Sequence, residues 1–410
     1  RVTGEAKYLE QAKWFLNQRG NREGKRGPYS QDHTPVTEQR EAVGHAVRAN
    51  YMYSAMADVA ALTGDRDMLA AVEALWKDVV DTKLYVTGGV GARHSGEAYG
   101  DAYELPNRTA YCETCAAIAN VFWNHRMFLL SGESKYIDVM ERSLYNGVIS
   151  GVSTNGMSFF YPNPLESAAG HERSPWFGCA CCPSNICRFM ASVPGYAYAV
   201  RENTVYVNMF VQSTAQFEVD GKLVKLKQET DYPRGSQTTI TVTPESDQEF
   251  ALKIRIPDWL GDAVDSTALY TVMGESKGAF SYALNSGQRI HTNNKGYAVI
   301  KRTWRPGDKV HLSLPMEVKR LTCDNRVKDN IGKVALQRGP LVYCLEWPDV
   351  EEGNVLNLML EKNANLISRF QPDLMGGTPT ILGTAQEMRK TVDGQITKEA
   401  REFKAIPYAL

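Results

Sequence analysis

Six of the eight cysteines in this 410-residue sequence fall between positions 112 and 187. Most of these six lie in two short motifs, Cys112–Cys115 and Cys179–Pro183. Disulfide frameworks are typical of short secreted chains, so a dense local cluster in a long chain indicates a metal site or a reactive site. Zinc prefers thiolate, imidazole and carboxylate ligands in tetrahedral sets. Glu113 and Cys115 of the first motif, with two thiolates of the second, therefore form a candidate zinc site.

The spacing of these residues limits the backbone that can present them. Each residue of an α-helix turns by about 100°, so residues two apart point to nearly opposite sides. Glu113 and Cys115 can share a metal only from an extended segment or a first helical turn, and the helical pattern begins just after Cys115. Pro183 suits a first turn, which puts Cys181 and Cys182 at the start of another helix. A helix N-terminus also lowers the pKa of a thiol.

Two other interpretations of the cysteines stay open at this stage. Buried free cysteines are common core residues, and this interpretation suits four of them: Cys112, Cys187, Cys323 and Cys344. A zinc with four protein ligands and no open position is usually structural. Residue types alone do not separate a structural zinc from a catalytic one.

The cysteine motifs lie in a part of the sequence with a helical pattern, which extends to about residue 196. Apolar residues recur at helical spacing in Tyr8–Gln18, His45–Leu62, Met68–Val80, Ala116–Leu130 and Tyr136–Val148. A pattern of apolar residue, hydroxyl, glycine and acid recurs before a helix at Val2–Glu5, Leu62–Asp65 and Leu130–Glu133. This recurrence predicts helical hairpins repeated around a toroid. Three hairpins do not close a ring, so we expect roughly the first half of the toroid to be missing from this chain.

After about residue 197 the apolar period changes to two, which is typical of strands. Alternating segments occur at Thr204–Val211, Thr214–Val219, Thr238–Thr243, Phe250–Ile256, Tyr297–Trp304 and Lys309–Leu314. A second β-rich stretch starts near Leu321 and includes Lys333–Glu346, with a turn at Arg338–Pro340. We therefore predict a helical domain over residues 1–196, a β-sandwich over 197–318 and a second β-sandwich-like domain over 319–410.

Composition excludes several classes of function. The chain is 43% hydrophobic and 23% charged, with a net charge of −1, as in ordinary globular proteins. We expect no nucleic-acid partner, because no basic block stands out. We expect no membrane partner, because no apolar run approaches the ~20 residues that span a bilayer. Reduced thiols with zinc suit a bacterial cytoplasm, and metal-protected thiolates are equally compatible with a periplasm. The β domains are candidates for a homodimer contact.

Four stretches of the sequence resemble a known family: Pro35–Arg48, Tyr103–Asn107, Cys112–Cys115 and Cys179–Asn185. They are similar to glycoside hydrolase family 127 and its sister family 146, whose best-described members are β-L-arabinofuranosidases. The resemblance implies a multidomain α and β protein, with an (α/α)6 barrel followed by β-sandwich domains. In this chain the barrel would be partial. The resemblance also implies that residues 1–196 are the catalytic domain and that the substrate is an oligosaccharide or glycan.

The resemblance assigns roles to individual residues. It implies a Zn2+ ion held by Glu113, Cys115, Cys181 and Cys182. It implies Cys181 as the nucleophile and Glu97 as the general acid/base of a retaining reaction. Sugar contacts fall on His45 and Tyr161, and His94 near Glu97 is a candidate for orienting the substrate.

Simpler roles for these residues, and other functions, stay open. Glu97 could be a solvated loop acid, His45 a core histidine, His94 a surface residue and Tyr161 a packing residue. The same site could cleave another unusual pentoside, such as an acidic branched sugar of pectin. The chain could also be a non-catalytic carbohydrate-binding protein with a structural zinc.

Overall fold

Helices occupy the first half of the described chain and strands the second half. The computed structural model describes residues 3–21, 23–24, 26–168, 170–261, 266–274, 280–285, 293–350 and 353–410. Val2, the first residue of the recurring motif, lies outside these ranges. The α-helices are α1 (Ala6–Gln18), α2 (Ala46–Thr63), α3 (Arg66–Thr82), α4 (Thr114–Ser131), α5 (Ser134–Arg142) and α6 (Cys181–Met190). The first five correspond to the predicted stretches, and a π-helical segment, Ser143–Val148, continues α5.

The recurring motif acts as a stop-and-start signal between paired helices. Gly64 and Gly132 end α2 and α4 in the left-handed conformation, with φ of 71° and 70°, where glycine carries no Cβ penalty. Asp65 then caps α3 by accepting a hydrogen bond from the backbone N–H of Met68 at 3.0 Å. The motif therefore fixes where α2 ends and α3 begins.

Helices α2 and α4 pack side by side and carry the core of the helical part. The rings of Tyr53 in α2 and Trp123 in α4 lie 4.8 Å apart between centroids, and both side chains are fully buried. Because α4 also begins with the first cysteine motif, this packing anchors the candidate site. Within the described residues, no helix is both long enough and apolar enough to cross a membrane.

The strands account for nearly all regular structure after α6. They are β1 (Tyr198–Arg201), β2 (Thr204–Val207), β3 (Ser213–Val219), β4 (Lys222–Thr230), β5 (Gln237–Pro244), β6 (Gln248–Arg255), β7 (Tyr270–Val272), β8 (Ser281–Leu284), β9 (Asn293–Asn294), β10 (Tyr297–Trp304), β11 (Asp308–Ser313), β12 (Val318–Cys323), β13 (Ala335–Arg338), β14 (Leu341–Cys344), β15 (Leu358–Met359), β16 (Leu366–Gln371), β17 (Thr378–Lys390) and β18 (Ile396–Pro407). Each of the six strands predicted between residues 204 and 314 is confirmed, as β2, β3, β5, β6, β10 and β11.

Two five-stranded sheets form a sandwich behind the helices. Their strand orders are β1-β2-β6-β10-β9 and β3-β4-β5-β11-β8. Phe250 and Trp304 of the first sheet share a buried apolar core with Ile240 and Val310 of the second. Burial alternates along β5 and β6, which is the two-residue period that the sequence displays.

The third sheet has the order β15-β17-β18-β14-β13-β12-β7, with β16 paired to β17. The predicted turn at Arg338–Pro340 joins β13 and β14, which are antiparallel neighbours. One strand comes from an earlier part of the chain, since β7 pairs with β12 through Thr271 and Thr322. The division at residues 318 and 319 remains a prediction.

A buried cluster of charged side chains joins the helices to the sandwich. The fully buried Arg255 of β6 donates hydrogen bonds to Asp138 and Glu141 of α5. Tyr232 donates to Glu141 at 2.7 Å, and the backbone carbonyl of Asn208 accepts from Arg255 Nε at 2.6 Å. Removing one partner of such a buried pair leaves an uncompensated charge at a cost of about 3–5 kcal/mol, so these side chains depend on one another.

Candidate active site and metal centre

The two cysteine motifs meet where α4 and α6 begin. Glu113 is the N-cap of α4, with φ −59° and ψ 137°, and Cys115 lies in the first turn. Cys181 is the first residue of α6, followed by Cys182 and Pro183. The prediction that irregular backbone enters a helix at both motifs is therefore confirmed. The extended conformation of Glu113 lets residues two apart face the same point.

One acidic and three sulfur ligands converge at this point. The ligand atoms of Glu113, Cys115, Cys181 and Cys182 all lie within 4.8 Å of one another. The Sγ atom of Cys181 lies 3.8 Å from that of Cys115 and 3.9 Å from that of Cys182. Glu113 Oε1 lies 3.5 Å from the sulfurs of Cys181 and Cys182. These four residues could together hold a metal ion.

The spacing of these atoms fits zinc. A tetrahedron with Zn–S bonds of about 2.3 Å and a Zn–O bond of about 2.0–2.2 Å has S···S edges near ~3.8 Å and S···O edges near ~3.5 Å. Both edge lengths match those of the cluster. In the described part of the chain, the buried Glu113 Oε2 also finds no hydrogen-bond partner. A buried acceptor without a donor calls for an explanation, and a cation beside the carboxylate supplies one.

Electrostatics in the cluster also favour a cation. Burial raises the pKa of Glu113 to about 8, and the nearby negative charge of Cys181 and Glu97 adds to the effect. Hydrogen bonding to Cys181 raises the pKa of Cys115, while hydrogen bonds from Cys115 and Cys182 lower the pKa of Cys181. A cation beside these groups would offset the burial and the mutual repulsion that disfavour their ionised forms.

Cys181 differs from the other three ligands in its access to solvent. Glu113, Cys115 and Cys182 are buried, whereas Cys181 is partly exposed. The Cys181 Sγ atom lies within hydrogen-bonding distance of the Tyr161 hydroxyl, at 2.9 Å. The Tyr161 ring packs edge-on against Phe177, with 5.5 Å between centroids. Tyr161 therefore both packs and contacts the one accessible sulfur.

Glu97 lies on a tight loop between α3 and α4. Gly96 and Glu97 both adopt left-handed backbone, with φ of 75° and 51°, and reciprocal 3.0 Å hydrogen bonds between Arg93 and Ala98 close the loop. The Oε2 atom of Glu97 lies 2.9 Å from His45 Nε2. The carboxylate is thus held at the N-terminus of α2, where His45 is the N-cap. Burial lowers the pKa of His45, and the charge of Arg48 adds to this effect.

Tyr111 connects Glu97 to the cysteine cluster, and the sequence reasoning missed it. Its hydroxyl donates to Glu97 Oε1 at 3.2 Å. Its ring lies 4.7 Å from that of His94 and 6.1 Å from that of Tyr161, between centroids. The available signal was its position, directly before the Cys112–Cys115 motif. The exposed His94 belongs to this aromatic group, and its role toward a substrate remains a prediction.

The remaining cysteines do not join the cluster. Cys112 is buried, which confirms its predicted place in the core, while Cys323 and Cys344 are partly buried. Cys187 is exposed, so its prediction as a core residue is wrong. It lies on α6 beyond the first turn, on a face that the helix turns toward solvent, whereas Ile186 and Phe189 take the buried face.

Comparisons with known proteins agree along the whole chain. Residues 1–195 match the profile described as the GH127 catalytic domain of beta-L-arabinofuranosidase. Residues 204–316 match the GH127 middle domain, and residues 318–410 match the family 127 C-terminal domain. A non-reducing end beta-L-arabinofuranosidase of Bifidobacterium longum subsp. longum is 33% identical over 397 residues. That alignment covers 92% of this chain and 57% of the relative.

Solved structures of GH127 enzymes are also similar to this chain. One titled as a GH127 beta-arabinofuranosidase has a TM-score of 0.96 and 47% identity, covering 100% of this chain and 64% of the other. A GH127 beta-L-arabinofuranosidase of Geobacillus stearothermophilus T6 has a TM-score of 0.91 and 41% identity, covering 100% and 67%. The fold is therefore that of a family of carbohydrate-active proteins. The chain belongs to glycoside hydrolase family 127.

Proposed function

We propose that this chain carries the active site of a retaining β-L-arabinofuranosidase that acts on plant-derived glycans. In this proposal Cys181 is the nucleophile, Glu97 is the general acid/base, and zinc is bound by Glu113, Cys115, Cys181 and Cys182. The helical part would then belong to an (α/α)6 barrel. The names of the relatives support the sugar, and the family membership supports glycoside hydrolysis.

One observation carries the proposal: Cys181 is the only partly exposed member of the four-residue cluster. A structural zinc needs no accessible ligand, and its four protein ligands are normally closed off. Here the accessible sulfur lies 2.9 Å from the Tyr161 hydroxyl. The Tyr161 ring neighbours that of Tyr111, whose hydroxyl donates to Glu97. A sugar seated there would meet a sulfur nucleophile and a carboxyl group.

The first half of the reaction forms a covalent intermediate. Cys181 Sγ attacks the anomeric carbon, and the bond from that carbon to the leaving oxygen breaks. Glu97, protonated at this stage, gives its proton to the departing oxygen. The product is a thioglycoside on Cys181, in which sulfur replaces the second carboxylate of ordinary retaining enzymes. Zinc, when bound, supplies the chemistry that keeps the cysteine sulfur ionised at neutral pH.

The second half releases the sugar. Glu97, now ionised, takes a proton from a water molecule as the water oxygen attacks the anomeric carbon. The carbon–sulfur bond breaks and the electron pair returns to Cys181 Sγ. The sugar leaves with its original anomeric configuration because both displacements invert it. His45, at 2.9 Å from Glu97, holds the carboxylate through both steps.

The test is hydrolysis of p-nitrophenyl β-L-arabinofuranoside by zinc-loaded, reduced protein. We expect the parent to be active, and Cys181→Ser and Glu97→Gln each to lose at least roughly 10³-fold in kcat. The matched control is Cys187→Ser, an exposed cysteine on the same helix, which should keep parental activity. NMR of the first-formed anomer reports retention, and metal analysis reports zinc in each variant.

The outcomes separate the open alternatives. A parent that binds zinc and cleaves a different pentoside, with loss in both variants, would keep the mechanism and replace the sugar. A parent that binds zinc and cleaves none of a pentoside panel would indicate a structural zinc and overturn the proposal. Equal activity of Cys181→Ser and parent would remove Cys181 as the nucleophile.

A further inference from the structure

We infer that Tyr111 is a positioning residue that fixes the carboxyl group of Glu97 for proton transfer. This inference rests on the proposed function, in which Glu97 is the acid/base. The two oxygens of Glu97 face different partners: Oε2 faces His45 Nε2 at 2.9 Å, and Oε1 accepts from the Tyr111 hydroxyl at 3.2 Å. Two partners on two oxygens define the plane of the carboxyl group, which one partner alone leaves free to rotate.

The backbone of Tyr111 is itself tightly placed. Its N–H donates to the carbonyl of Ala92 at 3.3 Å, and its carbonyl accepts from the N–H of Asn163 at 2.9 Å. The next residue, Cys112, donates to Gly91 at 2.8 Å. These bonds tie the segment before Glu113 to the start of the loop that carries Glu97. The metal motif and the acid/base loop therefore share one rigid support.

The ring of Tyr111 is held from two sides. His94 packs edge-on against it, with 4.7 Å between centroids and an interplanar angle of 69°. The ring of Tyr161, whose hydroxyl contacts Cys181 Sγ, lies 6.1 Å away at an angle of 49°. Such aromatic pairs orient the rings that form them. The Tyr111 hydroxyl is therefore held on a fixed ring. This ring lies between Glu97, which would protonate the leaving group, and Tyr161, which contacts Cys181.

The loop that presents Glu97 needs this support. Glu97 has φ of 51°, a conformation that side-chain-bearing residues seldom adopt and that persists only where surrounding contacts impose it. Its side chain is also one-third exposed, at 33%, so burial does not hold it. General acid catalysis requires the proton within hydrogen-bonding reach of the leaving oxygen. The Tyr111 hydroxyl provides the second of the two contacts that constrain this side chain, the first being His45.

The decisive variant is Tyr111→Phe, which keeps the ring between His94 and Tyr161 and removes only the hydroxyl. Proton donation matters most for a poor leaving group. We therefore expect kcat/KM on methyl β-L-arabinofuranoside to fall roughly 10- to 100-fold, a part of the full acid/base contribution. On the dinitrophenyl glycoside, which needs little protonation, we expect a change within about threefold. Glu97→Gln should show the same selectivity with a larger loss.

Two controls separate positioning from structural damage. Tyr103→Phe removes a phenolic hydroxyl from the same loop, away from Glu97, and should leave both substrates within about twofold of the parent. Zinc content of Tyr111→Phe should equal that of the parent. Equal losses on both substrates, or no loss on either, would overturn the inference.

A crystal structure of zinc-loaded Tyr111→Phe tests the same point without turnover. We expect the Glu97 carboxyl group to rotate away from its parental orientation while Cys181 and its three co-ligands stay in place. An unmoved carboxyl group would overturn the inference even if the protein cleaves no pentoside. A rotated carboxyl group in an inactive protein would support positioning while rejecting the proposed function.

Discussion

Two of the buried charge clusters among the described residues are built in opposite ways. The Arg255 cluster between α5 and β6 pairs its guanidinium with two carboxylates and adds Tyr232 as a further donor. The cysteine cluster at the starts of α4 and α6 leaves Glu113 Oε2 without a donor in the described part of the chain and one sulfur partly exposed. In the first cluster Arg255 hydrogen-bonds to both acidic side chains, whereas in the second a buried carboxylate oxygen has no donor and a cation beside it would satisfy it.

The comparison shows that the presence of hydrogen-bond partners, more than burial, distinguishes a structural cluster from a functional one. Asp138 and Glu141 are buried, as are Glu113, Cys115 and Cys182 of the second cluster. What separates the two sites is that Asp138 and Glu141 both accept hydrogen bonds from Arg255, whereas Glu113 Oε2 has no partner in the described part of the chain. Substitutions at the first cluster should therefore change stability and spare metal binding, while substitutions at the second should do the reverse.

The largest effect is expected for Arg255→Leu. This change leaves the carboxylates of Asp138 and Glu141 buried without their counter-charge, so we expect the free energy of unfolding to fall by about 3–5 kcal/mol. Zinc stoichiometry of the folded fraction should be unchanged. Denaturant titration and metal analysis measure the two quantities. The matched control is Arg302→Leu on the neighbouring strand β10, whose side chain is 36% exposed. If the two variants were equally stable, Arg255 would have no special structural role.

The next effect is expected for Cys182→Ala. Removing a fully buried ligand should lower zinc affinity at least roughly 100-fold. A residue that only hydrogen-bonds to a ligand usually has a smaller effect on affinity. Competition with a chromophoric chelator measures it. Cys179→Ala, an exposed cysteine two residues before Cys181, is the control and should bind zinc as the parent does. Parental affinity in Cys182→Ala would show that the metal lies elsewhere.

A smaller, pH-dependent effect should appear in zinc binding itself. Burial raises the pKa of Glu113 to about 8, and hydrogen bonding raises the pKa of the Cys182 thiol. The metal-free site therefore holds protons that zinc must displace, so affinity should rise as the pH increases from about 6 to about 8, roughly tenfold per proton per pH unit. Isothermal titration in buffers of different ionisation enthalpy counts the protons. An affinity independent of pH would contradict these protonation states.

The smallest effect is expected for Tyr232→Phe. Loss of the hydroxyl that donates to the buried Glu141 should lower the free energy of unfolding by about 1–2 kcal/mol, and zinc binding should not change. Tyr29→Phe, an exposed tyrosine, should change stability by less than about 0.5 kcal/mol. Thermal unfolding measures both. A loss of zinc in Tyr232→Phe would mean that the two clusters are coupled.

The two clusters also differ in how far the sequence predicts them. The ligand set could be inferred because its residue types are rare and closely spaced, and because a helix can present Glu113 and Cys115 together only at its start. The Arg255 cluster has no such signal, since its partners are separated by 117 and 114 residues and use common charged residues. Pairing over such distances depends on how the sandwich docks on the helices.

Helices and strands followed from apolar period, with exceptions that have physical causes. The strand β4 was not predicted, because its alternation is short: Val224 and Leu226 are fully buried, but the apolar Leu223 is exposed and the next buried position is the polar Gln228. The partnership of Glu97 with Tyr111 was also not predictable, since it depends on the left-handed turn at Gly96 and Glu97. Local propensity does not specify where such a loop directs its side chains.

The short strand β7 bears on how this protein assembles. It belongs by sequence to the middle of the chain, yet it pairs with β12 of the last sheet, and the Tyr270 hydroxyl donates to the Leu84 carbonyl just after α3 at 2.8 Å. A chain cut before β12 would leave β7 without its neighbour and loosen a tie to the helices. The helical part, the sandwich and the third sheet are therefore poor candidates for exchangeable modules. We expect calorimetry to record their unfolding as one cooperative transition.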